Sequence, residues 1–118
     1  MLNWVLAIGM IAAMPVGASA ADAEAGATVF NKCKACHILG KNAVGPNLVG
    51  VIGRKSGTAE GFTYSDAMKA AGITWDEASL KEYLTNPKAK VPGNKMVFMG
   101  LPDAADRDNV VEYLKSAK

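Results

Sequence analysis

Histidine occurs once in these 118 residues and cysteine twice. That scarcity narrows the chemistry. A zinc site built on both cysteines needs two further thiolates or histidines, and a single histidine remains. A thioredoxin-like thiol pair sits in a βαβ setting, yet no strand-rich pattern surrounds these cysteines. Acidic and basic side chains nearly balance, 11 against 13, for a net charge of +2. There is no internal repeat, no low-complexity segment and no basic stripe of the kind that binds nucleic acid, so a nucleic-acid partner is not expected. The first twenty residues carry no charged side chain at all.

What is there is concentrated in Cys33-Lys34-Ala35-Cys36-His37. Two cysteines three positions apart, followed at once by histidine, are the attachment signature of c-type haem. On a helical turn, residues i and i+3 share one face. Two thiols so placed can add to the two vinyl groups along one porphyrin edge, and the adjoining imidazole can then reach iron. The spacing therefore implies one covalent haem c per chain, held through Cys33 and Cys36, with His37 as an iron ligand.

The uncharged leader reads as a secretory signal peptide. Trp4 to Met14 is apolar, Pro15 and Gly17 follow, and Ala18-Ser19-Ala20 is a small-residue cleavage pattern. No Lys or Arg precedes the apolar core, which departs from the usual leader. A retained anchor needs about 20 apolar residues, and Pro15 interrupts the run before that length. Cleavage after Ala20 and export to the periplasm are expected. Residues 21–118 then form one small domain of 118 − 20 = 98 residues. Two thiols in an exported domain would ordinarily suggest a disulfide; here the haem claims both.

The mature chain predicts helices separated by long loops. Asp22 caps a first helix through Ala25, Val29 and Phe30, and Gly26 inside it signals a close neighbour. From Ile38 to Gly61, glycines and Pro46 break all periodicity, so this stretch wraps something, with Val44, Leu48, Val49, Val51 and Ile52 as apolar lining. Ser65 caps a short helix, Asp66 to Ala71, ended by Gly72. Thr74-Trp75-Asp76-Glu77 reads as a capping box for a helix to about Thr85. Asn86 to Pro102 reads as irregular. Asp103 caps a last helix, with Arg107, Val110, Val111 and Leu114 at helical spacing.

With one histidine, a second axial ligand has to be another residue type, and methionine is the soft alternative. Met68 lies in a short helix, where methionine is more often core filler. Met96 and Met99 share a loop containing proline and glycine, and Pro92-Gly93 just before Met96 favours Met96 over Met99.

Taken together, the chain resembles a class I cytochrome c, near the bacterial, mitochondrial-like branch. The likeness covers nearly all of residues 22–115 through Cys33 to His37, Gly45-Pro46-Asn47-Leu48, Gly53-Arg54-Lys55-Ser56-Gly57, Phe62 to Ala67, Gly72-Ile73-Thr74-Trp75, Tyr83-Leu84, Asn86-Pro87-Lys88 and Pro92 to Phe98. The resemblance implies an all-α small cytochrome c fold, four to five helices with long loops wrapped around one covalent haem. It implies Met96 as the sixth ligand and the Pro46 carbonyl as hydrogen-bond partner of His37. It further implies Arg54, Tyr64 and Trp75 around the haem propionates, and Tyr83 near the methionine sulfur. It also implies that Gly26 and Phe30 cross Tyr113 and Leu114. Asn94 stands where the family usually has Thr, and Met68 where it often has Asn.

Iron with both axial positions filled by protein has no open site for a substrate, so a non-enzymatic, soluble periplasmic one-electron carrier is expected. By resemblance it would act as a monomer between a membrane quinol-oxidising cytochrome complex and a terminal oxidase or photosynthetic reaction centre. Lys32, Lys88, Lys90 and Lys95 would form a lysine-rich face at the haem edge. An alternative is an electron-accepting subunit docked to a dehydrogenase or peroxidase, and a third reading is a pentacoordinate, peroxidase-like haem.

Overall fold

The computed structural model describes Gly9 and residues 20–118. Apart from Gly9 and Ala20, the expected signal peptide lies outside the described residues. Among them are five helices and only isolated β-bridges, Ile38 to Lys41 and Lys55 to Thr74. The helices are α1 (Ala23–Phe30), α2 (Asp66–Ala70), α3 (Glu77–Thr85), α4 (Pro87–Lys90) and α5 (Ala104–Ser116). None is long and apolar enough to cross a membrane.

Local chemistry starts each helix. The Asp22 carboxylate accepts from the backbone N–H groups of Glu24 and Ala25, satisfying donors that the first turn of α1 leaves free. Ser65 does the same for Met68 at α2, and Asp103 for Ala105 at α5.

Two readings need correction. The capping box of α3 is Asp76 with Ser79, not Thr74 with Glu77. Thr74 is held in the extended bridge to Lys55, and its carbonyl accepts from the Ser79 hydroxyl at 2.9 Å. The helix therefore begins two residues later. The segment after Asn86 is not irregular throughout, since α4 occupies its start. Asn86 caps it by accepting from Ala89 N–H at 3.2 Å, and Pro87 takes the first turn, where its missing N–H costs nothing.

Packing follows from the apolar faces. Helix α1 crosses α5 at Gly26, where an added Cβ would run into the backbone carbonyl of Asn109 and the Cβ of Tyr113. That close approach brings the Phe30 and Tyr113 rings to 5.4 Å between centroids. Phe30, Val110, Val111 and Leu114 are all buried there. At roughly 1.5–3 kcal/mol per buried side chain of this size, the crossing is a principal support of the fold. Leu80 and Tyr83 of α3, with Trp75, Val51, Val91 and Leu101, extend the same core.

Candidate functional site: a cavity for haem c

The helices and loops enclose an apolar cavity of about 330 Å³. One wall carries Cys33, Cys36 and His37 from the turn after α1, with Gly45 and Pro46 beside them. Another carries Met96 and Phe98 from the loop after α4. Trp75, Tyr83 and Leu80 approach from α3 and its entry, Tyr64 and Met68 from α2 and the loop before it, and Val110 and Leu114 from α5.

Backbone bonds from Cys36 and His37 to the Cys33 carbonyl, at 3.1 and 2.9 Å, wind the motif into a turn. Both thiols are free; Cys33 is half-buried and Cys36 exposed. Burial pushes the Cys33 thiol up, partly offset by the Lys32 ammonium beside it. His37 Nδ1 lies 3.0 Å from the Pro46 carbonyl. A carbonyl only accepts, so Nδ1 carries the proton and Nε2 keeps its lone pair for a metal. Burial holds the imidazole pKa below its ordinary value, with the Pro46 bond pulling the other way. An unprotonated ring is the form that binds metal. The imidazole also rests directly on the Gly45 α-carbon, where any Cβ would strike its ring atoms.

On the Met96 side, the Tyr83 hydroxyl donates to the Met96 sulfur at 3.8 Å, and Tyr83 packs on Trp75 with centroids 5.0 Å apart. Burial raises the Tyr83 phenol to about 12, so it stays a proton donor at any physiological pH. Met99 is 94% exposed and does not line the cavity, whereas Met96 does.

The remaining expected residues are at the cavity with backbone partners. Arg54 donates to the carbonyls of Asn47 at 2.9 Å and Val49 at 3.4 Å. Tyr64 accepts from Ala59 N–H at 3.0 Å, which leaves its own proton for a further acceptor. Trp75 is buried at the inner wall.

Of the predicted loop lining, Val44, Leu48 and Val51 face the cavity while Val49 and Ile52 do not; Ile52 packs against the core instead. Sequence reasoning missed Phe62, Leu84, Phe98 and Leu101 as wall residues. Phe62, Leu84 and Phe98 lie in the stretches that carry the family likeness, but apolar character alone cannot distinguish a cofactor wall from an ordinary core.

The expected lysine face is partly altered. Lys90 is held by Glu82 at 2.8 Å, because α4 lies against α3. Lys32 and Lys95 line the cavity mouth.

The donor set fits a haem. Two free thiols and an imidazole with Nε2 available share one apolar chamber with a thioether that already has a hydrogen-bond donor beside it. This defines a small all-α domain built around haem c. The chain belongs to the cytochrome c family, whose model matches residues 23–118. Haem c, one per chain, is attached through Cys33 and Cys36. The chain is 60% identical over 102 residues to cytochrome c2 of Rhodoblastus acidophilus, covering 84% of this chain and 95% of that protein. It is 57% identical over 96 residues to cytochrome c-550 of Nitrobacter winogradskyi, with coverage of 79% and 88%. Among solved structures, cytochrome cH from Methylobacterium extorquens is similar with a TM-score of 0.79 and 53% identity, over 80% of this chain and 98% of that one.

Proposed function

We propose that this protein is a soluble periplasmic one-electron carrier in which His37 and Met96 hold the haem iron. The observation that carries the reading is the pairing of two prepared donors on one apolar cavity. His37 has its Nδ1 proton committed to Pro46, and Met96 has its sulfur beside the Tyr83 hydroxyl. When bound, the haem supplies the Fe(III)/Fe(II) couple. The chain's own residues bind and tune it. With His37 and Met96 both holding the iron, no open coordination site would be left for a substrate, which argues for outer-sphere transfer rather than turnover. A soft thioether and an apolar surround both favour the less charged, ferrous state. Arg54, Tyr64 and Trp75 are assigned to the propionate side.

The donors and acceptors proposed are a membrane quinol-oxidising complex and a terminal oxidase or photosynthetic reaction centre. They would meet a monomer through Lys32, Lys88 and Lys95. Export would follow cleavage after Ala20. Visible spectra of the purified mature protein in both redox states test the reading. Low-spin spectra with a sulfur-to-iron band in the ferric form are expected. High-spin spectra would favour an open iron and overturn it.

A further inference from the structure

Asn94 is the most heavily committed polar side chain at the cavity, and its bonds all run to backbone. Its Nδ2 donates to the carbonyls of Pro87 at 3.0 Å and Val91 at 2.8 Å. Its Oδ1 accepts from Met96 N–H at 2.9 Å. The partners fix the amide's orientation. Two carbonyls can only accept and one N–H can only donate, so a flipped amide would lose all three bonds.

The anchor points are buried. Pro87 begins α4 and is among the most deeply buried side chains, and Val91 just after α4 is 3% exposed. The loop they restrain is otherwise open: Pro92, Gly93, Lys95, Val97 and Met99 are all exposed. Met96 thus sits on a largely solvated loop. Backbone bonds hold its two ends, Asn94 N–H to the Val91 carbonyl at 3.2 Å and Leu101 N–H to the Leu84 carbonyl at 2.7 Å, and the Asn94 side chain is what ties the Met96 backbone N–H itself to that anchorage. A threonine there has a single hydroxyl proton and could not serve both carbonyls.

We propose that Asn94 is the positioning residue for Met96, clamping its backbone to α4 so that the sulfur is held at one place in the cavity. This rests on the reading of Met96 as an iron ligand. The clamp explains how an exposed loop can deliver a soft, easily displaced ligand with a fixed geometry, since axial bonds depend on how the ligand is oriented from outside.

The test uses the holoprotein, with amide hydrogen exchange in the ferrous form and the sulfur-to-iron band in the ferric form. In Asn94→Leu, which removes all three bonds, the Met96 amide should exchange about tenfold faster relative to Val110 and Val111 in α5, as expected for one lost hydrogen bond. The band should fade at a lower temperature than in the unsubstituted protein. Asn94→Thr should fall between the two. Unchanged Met96 exchange would overturn the proposal. So would equal acceleration at Met96, Val110 and Val111, which marks general destabilisation. Faster Met96 exchange with a band of unaltered temperature dependence would also overturn it, by showing that the clamp holds backbone without positioning sulfur. If the unsubstituted protein lacked the band, the ligand reading would fail instead, while the exchange data would still decide whether the clamp exists.

Discussion

The Tyr83 hydroxyl lies 3.8 Å from the sulfur of Met96, on the wall of the cavity that faces α3. A proton donor at a thioether draws electron density from the sulfur. Tyr83→Phe should therefore keep the sulfur-to-iron band but lower the potential by about 20–40 mV, the scale of a weak hydrogen bond. Redox titration measures it; a rise in potential would contradict the assigned polarity.

Met96→Ala should abolish the band and lower the potential further, because water or an amine favours ferric iron more than a thioether does. Met99→Ala should leave both unchanged, its side chain being 94% exposed. Interchanged results would move the ligand to Met99.

Covalent attachment is checked by extraction. Acid and organic solvent should leave the colour with the unsubstituted protein, whereas Cys33→Ser combined with Cys36→Ser should release it. Colour extracted from the unsubstituted protein would refute attachment through these thiols.

The crossing of α1 and α5 should tolerate no side chain at position 26. Gly26→Ala places a Cβ against the Asn109 carbonyl, and overpacking of this kind costs about 1–3 kcal/mol. Denaturant titration should show the loss as a lower midpoint, and an unshifted midpoint would mean that the helices separate freely.

Acid should weaken the link between α3 and α5. Glu77 pairs with Lys115, and that ammonium holds its carboxyl below the ordinary value. Bonds from Ser79 hold Asp76 below it too. A lowered folded pKa gives stability that is present above the ordinary carboxylate range and is lost as pH falls through and below it. Thermal melts from about pH 6 down to about pH 2, the span over which carboxylates titrate, should slope downward with acid. Lys115→Gln, which also removes the partner of Glu112 at 3.2 Å, should flatten that slope, and an identical slope would show that neither pair contributes.

Docking should depend on salt, because the Debye length is only about 8 Å at physiological ionic strength. The bimolecular rate with an acceptor should fall as salt rises, since charge acts mainly on encounter. Lys88→Glu and Lys95→Glu should slow it more than Lys118→Glu. Lys90→Gln should do little, its charge being already matched by Glu82. Equal effects at all four positions would remove the case for a lysine-rich face.

Features written in contiguous residues were legible from the sequence. Cys33 to His37, and the caps at Asp22, Ser65 and Asp103, act within a turn or so of themselves and appear where expected. Errors arose where distant segments compete. Thr74 was free in sequence to cap α3, but its bridge to Lys55 removes it. Asn86-Pro87 looked like a stop, yet the same pair is a good start for α4. The pairing of Lys90 with Glu82 and the three bonds of Asn94 depend on how α3, α4 and the following loop come together, and no local pattern encodes that.

The contact between Asp22 and Asn109, a backbone N–H to Oδ1 bond of 2.9 Å, spans 87 positions of the chain. It is the seam where the earliest and latest parts of the domain meet. A polypeptide delivered N-terminus first presents Cys33, Cys36 and His37 well before Ala104–Ser116 is available. The cavity wall from Val110 and Leu114 therefore arrives last. The C-terminal helix is thus a wall of the cavity as well as the partner that buries Phe30, and the domain is complete only when both ends of the chain are in place.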